Sequence, residues 1–337
     1  MRLSIIMPFY NKEERVVRLS IESVLAQTER DLELICVNDA SPGSSGEFLY
    51  EMAKNDERLK VITHEVNQGV SAARNTALAA AQGDYIGFVD ADDMVAPNYY
   101  EVMLQCAEAS GADIVSSTFK RIEYEDSAAE KVVFNGRMSN KEYYCFKARS
   151  IWNRIYKREI LQGIKFVPEL KIYEDLVFLN MAISRAEHLC EIDFAGYLYR
   201  HCNPEIFKTP PPVQTEKITE YIPVFPWHFA QHNLALEKIS EIAGSNCNLK
   251  TAKAMNYLVL RRFFRIALQM RKFDPATRDL SYSGLSDFFY EKLFPVCKQS
   301  FPLTCFLACK IFKHKSYRKS FIYKLQILRL LVELKLF

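Results

Sequence analysis

Across the first 118 residues, short apolar runs alternate with stretches of helical period, and no other feature of the sequence restricts the fold as much. The runs are Leu3–Pro8, Leu32–Val37, Leu59–Thr63, Tyr85–Val89 and Ile114–Ser117. Each is the length of a buried strand and too short for a helix. Between them, Val17, Ile21, Val24 and Leu25 recur at helical spacing. Phe48, Leu49 and Met52 do the same, as do Val70, Ala73, Ala77, Leu78 and Ala81, and Tyr99, Met103, Leu104 and Ala107. Such alternation predicts right-handed βαβ units on a mostly parallel sheet flanked by helices, an α/β fold.

Sheets of this kind bind ligands where strands end at their carboxyl edge. The first, second and fourth exits, Pro8-Phe9-Tyr10-Asn11, Asn38-Asp39-Ala40-Ser41 and Asp90-Ala91-Asp92-Asp93, carry polar clusters, whereas the third, His64–Gly69, shows no obvious one. Three carboxylates in four residues repel one another and resist desolvation, so an exit that gathers them needs a countercharge. Mg²⁺ or Mn²⁺ would supply it, taking one or two carboxylates and completing its shell with phosphate oxygens. A helix starting near Pro97 and capped by Asp92 and Asp93 accounts for the same tetrapeptide equally well. The neighbours favour a site. Asn67-Gln68-Gly69 leads into a helix with Arg74 one turn inside, placed to meet carboxylates or a phosphate, while Asp39 ends the second strand and Tyr10 follows the first.

Beyond residue 118 the pattern changes. From Lys120 to Asn140 charge alternates, suggesting a hairpin or an excursion over one face; Tyr173–Ile183 reads as a helix and Phe194–Tyr199 as a strand. Pro204, Pro210, Pro211 and Pro212 mark a linker, followed by candidate helices at Leu234–Ala243, Ala252–Met270 and Phe288–Leu293. The formal charge of +3 excludes nucleic acid as the main partner. It conceals a split, because residues 1–203 carry 23 basic and 31 acidic side chains and the remainder 21 and 10. Nine scattered cysteines with no C-x-x-C pair read as reduced thiols. His228 and His232 share a helical spacing but have no evident third metal ligand. The chain opens directly on an apolar run and contains no run of about eighteen apolar residues. A cytoplasmic location is therefore expected, with any membrane contact peripheral.

The blocks Ser4-Ile5-Ile6-Met7-Pro8-Phe9-Tyr10-Asn11, Ser23-Val24-Leu25-Ala26-Gln27-Thr28, Val37-Asn38-Asp39-Ala40-Ser41, Asn67-Gln68-Gly69-Val70-Ser71-Ala72-Ala73-Arg74-Asn75 and Gly87-Phe88-Val89-Asp90-Ala91-Asp92-Asp93 resemble, in order and spacing, the family 2 glycosyltransferases of the GT-A fold, of the bacterial polysaccharide type. Trp152-Asn153-Arg154-Ile155-Tyr156 and Glu174-Asp175-Leu176-Val177-Phe178 resemble acceptor-side motifs of the same family, extending the similarity to about Arg200. The resemblance implies a nucleotide-binding half at 1–118, an acceptor-side half at 119–203 and a helical extension at 204–337. It also implies a nucleoside-diphosphate sugar donor, usually a UDP-sugar, bound with Mg²⁺ or Mn²⁺. By position, Pro8, Tyr10 and Asp39 would hold base and ribose, with Asn67 and Arg74 supporting that pocket. Asp90 would face the ribose or diphosphate beside Ala91, Asp92 would bind the metal, and Arg200 and His201 would contact the diphosphate. Trp152, Asn153 and Glu174 would lie on the acceptor side. Asp175 falls on the family's catalytic-base position; on the residues alone, a carboxylate at a helix N-terminus reads the same way. Two departures stand out: Asn38 precedes Asp39 where the family often has two acids, and His201-Cys202-Asn203-Pro204 follows Arg200 where a small hydroxyl residue is common.

The expected reaction is a single inverting displacement, in which an acceptor hydroxyl of a glycan or lipid-linked glycan attacks the anomeric carbon. A general base contributes about 10²–10⁴-fold to such a step. The last 28 residues carry eight Lys or Arg and one acid around an apolar stripe of Phe321, Ile322, Leu325, Leu328, Leu331, Val332 and Phe337. This segment fits an anionic membrane surface or a helix packed back on the catalytic domain. Two competing functions remain. A sugar-nucleotide-forming nucleotidyltransferase would need a Gly-rich phosphate loop where Pro8-Phe9-Tyr10-Asn11 stands, and a non-catalytic glycan- or nucleotide-binding scaffold would have no need of Asp92 and Asp175.

Overall fold

The computed structural model describes residues 1–123, the backbone of 136–139, residues 150–200, and parts of 231–297, chiefly 234–243, 255–257 and 289–293. The chain forms two compact units, Met1–Asn140 with Arg149–Glu216, and Lys141–Ala148 with Lys217–Phe337.

In the first unit, β1 (Leu3–Phe9) lies between β2 (Leu32–Asn38) and β4 (Tyr85–Phe88), and β3 (Leu59–Thr63) pairs on the far side of β2, all in parallel. Every residue of β2 is buried, as expected of a strand covered on both faces. Helix α1 (Glu14–Leu25) buries Val16, Val17, Ser20, Ile21 and Val24, a stripe at helical spacing. Further crossovers run through α2 (Glu47–Asn55), α3 (Val70–Ala80) and α4 (Tyr99–Ser110). On α3 the buried residues include Ala73 and Ala77, whose small side chains let the helix approach the sheet closely. This places the carboxyl ends of β1, β2 and β4 side by side.

The sheet then changes character. β8 (Arg154–Lys157) enters antiparallel between β4 and β6 (Ile114–Ile122), and β9 (Leu189–Arg200) runs parallel to β6. The short β5 (Met94–Val95) and β7 (Gly136–Ser139) each pair antiparallel with β9, giving the order β3-β2-β1-β4-β8-β6-β9-β5 with β7 off the path. Two sequence expectations change here. The strand expected at Ile114–Ser117 continues to Ile122 with an exposed second half, and within Lys120–Asn140, read as a hairpin or an excursion over one face, the described strand β7 pairs with β9 and not with β6.

β6 and β9 are in register up to Ser117 opposite Ile192, and pairing resumes with Phe119 opposite Tyr197. The extra residues of β9 make a bulge around Gly196, where a Cβ would come within 2.5 Å of Phe194 and 2.6 Å of Tyr99. A bulge re-aims the side chains beyond it. Behind β4, the rings of Phe88, Tyr156, Phe166 and Phe178 pack together, with Phe166 and Phe178 stacked at 4.0 Å. This cluster seats α5 (Glu174–Arg185).

In the second unit residues 234–243 are helical, and Phe263 meets Phe289 at 5.4 Å between ring centroids, beside a π-helical turn at Phe289–Leu293. The described cysteines Cys36, Cys106, Cys190 and Cys297 are free and buried. The proline linker, His228, His232 and the basic segment Lys310–Phe337 lie outside the described residues. Among the described residues no helix is long and apolar enough to cross a membrane.

Candidate active site

A cleft of about 350 Å³ opens at the carboxyl edge of the parallel strands, lined by Pro8, Tyr10, Asp39, Arg74, Asp90 and Asp92 among others. Its backbone is strained where it matters. Among the described residues, the non-glycine residues with positive φ are Asn11 after β1, Ala40 after β2 and Tyr173 immediately before α5. Such conformations cost energy and persist only where the surrounding structure enforces them.

Arg74 anchors the centre. It leaves α3 almost completely buried, with its guanidinium 5.3 Å from the Phe166 ring centroid. Nη1 donates to Glu174 Oε1 at 3.0 Å and to Asp175 Oδ1 at 2.7 Å, and Nη2 donates to Asp90 Oδ1 at 3.1 Å. Burial alone would lower the pKa of Arg74, but the fields of Asp175, Asp90 and Glu174 raise it, so the cation is permanent. The loop before α5 is fixed to α3 by Asn75, whose amide donates to Phe166 O at 2.9 Å and accepts from Phe166 N at 2.8 Å. A side-chain amide here imitates a strand pairing.

Negative charge exceeds positive in this cleft. Burial pushes the Asp90 carboxyl above its ordinary range, Arg74 pulls it back, and Asp175 and Asp92 push it up again. Burial likewise takes Asp175 up to about 6, with Arg74 opposing and Glu174 reinforcing. Asp92 is half-buried and pairs with Lys12. Asp93 does not cap a helix: α4 begins at Tyr99, and the Asp93 carboxylate accepts from Tyr197 Oη at 2.6 Å and from Arg200 N at 2.8 Å. Its pKa rises to about 8, first through burial and then through Asp90.

The third strand exit, which carried no obvious signal, is built around Asp39. Asp39 Oδ1 accepts from Gln68 N at 2.9 Å, Oδ2 accepts from Gly69 N at 2.7 Å, and Asn67 Nδ2 donates to Asp39 O at 3.1 Å. His64 Nδ1 lies 2.7 Å from Asp39 Oδ1 and its Nε2 lies 2.9 Å from Thr76 Oγ1. A carboxylate only accepts, so the proton sits on Nδ1. Asp39 therefore fixes the loop that launches α3 and aims Arg74.

Other residues singled out from sequence have mixed placements. Pro8, Tyr10, Ala91 and Arg200 line the cleft with Asp39, Arg74, Asp90 and Asp92. Arg200 spends its guanidinium on Asp92 O at 2.9 Å, Glu123 O at 3.4 Å and Met94 Sδ at 2.8 Å. Asn153 is buried, bonded to Ser117 O, Ser150 Oγ and Arg154 Nη1, and is not among the residues that line the cleft. Trp152 is half-buried and stacks on Tyr197 and Tyr199. His201 lies outside the described residues. His64 and Lys12 are site residues that the sequence reading passed over, since neither belongs to an acidic or glycine-bearing cluster.

A divalent cation fits this donor set. Among the described residues no group of three His, Cys, Asp or Glu is arranged to hold a metal alone. Asp92, half-buried at the cleft with Asp90 nearby, offers the one or two carboxylates that a Mg²⁺ or Mn²⁺ ion sharing its shell with phosphates would take.

Residues 4–164 match the family model described as Glycosyl transferase family 2. An uncharacterized glycosyltransferase, EpsJ, of Bacillus subtilis is 36% identical over 210 residues, covering 59% of this chain and 60% of that protein, so the match spans less than two thirds of the relative. An uncharacterized glycosyltransferase of Haemophilus influenzae is 31% identical over 176 residues, covering 52% of this chain and 69% of that one. The crystal structure of Staphylococcus aureus TarS 1–349 in complex with UDP superposes with a TM-score of 0.69 at 18% identity, covering 99% of this chain and 92% of that chain. That likeness shows a shared GT-A fold.

Proposed function

Because this chain belongs to glycosyl transferase family 2, we propose that it is an inverting glycosyltransferase, moving a sugar from a nucleoside-diphosphate sugar to a hydroxyl of a glycan or lipid-linked glycan during synthesis of a cell-surface polysaccharide. The observation that carries this reading is the convergence of Asp90, Glu174 and Asp175 on one buried arginine at the edge of the cleft. UDP in the TarS complex supports a UDP-sugar as donor.

In this reading the donor base and ribose lie between Tyr10 and Asp39, and the diphosphate lies toward Asp90 and Asp92. Asp92, with Asp90, would hold Mg²⁺ or Mn²⁺, which supplies Lewis-acid stabilisation of the leaving diphosphate. Asp175 takes the proton of the acceptor hydroxyl as the new bond forms at the anomeric carbon. Its pKa of about 6 leaves it ionised at neutral pH, yet nearer the working pH than an ordinary aspartate. Arg74 holds Asp175 and Glu174 in one orientation. One base opposite one leaving group gives inversion. The enzyme acts in the cytoplasm, with the basic segment Lys310–Phe337 meeting the anionic inner face of the membrane.

The test is incubation with a panel of UDP- and GDP-sugars, with UDP or GDP release and product mass as readouts and the anomeric configuration read by NMR. Release that disappears in both Asp92→Asn and Asp175→Asn, with an inverted product, is expected. A retained configuration, or full activity in both variants, rejects the assignment.

A further inference from the structure

The bulge in β9 brings four aromatic rings together beside the cleft. Beyond it Phe119 stands opposite Tyr197 and Arg121 opposite Tyr199, so all four residues share one face of the sheet. Trp152 lies across this face, stacked on Tyr197 at 4.3 Å and 25° and on Tyr199 at 5.6 Å and 19°, while Phe119 meets it edge-on at 5.0 Å and 86°. Two features separate this cluster from an ordinary core. Phe119 is 43% exposed, one of few large apolar side chains so placed among the described residues. The cluster is also continuous with the cleft, because Tyr199 lines it together with Asp92 and Arg200.

Flat aromatic faces at the mouth of a polar cleft suit a ligand that is flat and apolar on one side and hydroxylated at its rim, which describes a pyranose ring. Arg121 adds a charge preference. It is exposed on the same face, and no hydrogen bond or ion pair occupies it among the described residues.

We infer that Phe119, Trp152 and Tyr199 form a stacking subsite for a pyranose ring of the acceptor, and that Arg121 makes this subsite favour glycans carrying a carboxylate or phosphate. The inference rests on the transferase reading above and adds to it the class of acceptor. Phe119 and Arg121 act on acceptor affinity, so their removal leaves the donor reaction intact.

The sequence contains two tryptophans, Trp152 and Trp227, so the full-length Trp227→Phe protein reports on Trp152 alone. Its emission is titrated with trigalacturonate, a phosphorylated maltotriose and neutral cellotriose. UDP release from UDP-sugars without glycan is measured in parallel. The expected result is quenching by an anionic trisaccharide in preference to cellotriose, with binding weakened about 3- to 10-fold by Phe119→Ala, an exposed position that leaves the core intact. Arg121→Gln should reduce the anionic response to the cellotriose level and remove its salt dependence. Whether the uronate or the phosphorylated sugar responds identifies the source of the charge. Unchanged emission with all three sugars, or quenching that survives Phe119→Ala, overturns the platform. Equal response to charged and neutral sugars overturns the role of Arg121. Absence of UDP release in the wild type would instead reject the donor chemistry, so the two failures are distinguishable.

Discussion

Arg74 Nη1 donates to Asp175 Oδ1 at 2.7 Å although the two residues are 101 positions apart in the chain. The contact joins the parallel half of the sheet to the helix that presents the proposed base. The same guanidinium binds Asp90, so a change in charge at Asp90 is felt by the carboxylate of Asp175. Asp175 rises to about 6 because burial and Glu174 outweigh the pull of Arg74.

This fixes the sign of a pH dependence. Asp175 accepts a proton only when ionised, so kcat/KM should fall as pH drops through about 6. Replacing Arg74 by Gln removes the larger of the two influences that lower this pKa, Arg154 being the other, and the acid limb should move upward by about 1–3 units. A pH–rate profile of the two proteins checks this, and a limb that stays in place removes Asp175 from the role of base.

Gly69 has φ 90° and ψ 164°, a region that is essentially glycine-only, and its N–H bonds to Asp39 Oδ2. A Cβ there would meet only Lys171 Nζ at 3.5 Å, so crowding is not the obstacle; the backbone conformation is. Gly69→Ala should cost about 1–3 kcal/mol in denaturant unfolding. It should also weaken nucleotide binding, because relief of the strain moves the loop off Asp39. Calorimetric titration with UDP measures the second effect.

The parallel half of the fold was legible because its strands are short, predominantly apolar runs and its helices keep a 3.6-residue period. Beyond Ser117 the strand continues with exposed residues, Thr118 to Arg121, and there apolar content no longer marks the strand. The carboxylates and Arg74 were visible as motif residues, yet their convergence depends on Asn75 holding Phe166 and on the ring cluster beneath α5, contacts made across about 90 positions. His64 gave no signal since its partners, Asp39 and Thr76, are also remote in sequence. The resemblance implies an acceptor-side role for Asn153, but the hydrogen bonds by which its amide holds Ser117 and the 150–154 turn reach across 36 positions and were not legible.

Tyr197 Oη donates to the buried Asp93, whose other oxygen takes Arg200 N. Tyr197→Phe keeps the ring packing against Trp152 but leaves a buried carboxyl oxygen without its donor. A loss of about 1–3 kcal/mol is expected. Measured above pH 8, where Asp93 is ionised, Asp93→Asn in the same background should recover part of it, since the amide carries no charge to desolvate. Additive losses in this double-mutant cycle would show that the two groups do not interact.

A divalent cation held by Asp92 would compete with Lys12 for that carboxylate, and this gives the metal proposal a test with two signs. Lys12 pairs with Asp92, so metal must displace the ammonium or share Asp92 with it. Asp92→Asn should weaken Mn²⁺ binding, followed by water-proton relaxation, and chelation should abolish sugar transfer with Mn²⁺ restoring it. Lys12→Gln removes a like charge from beside the ion and should bind Mn²⁺ more tightly in the absence of nucleotide. If both substitutions weaken Mn²⁺ equally, the loop has simply been disordered. If neither changes it, the ion is held elsewhere, and Asp92 serves the donor through its ion pair with Lys12 alone.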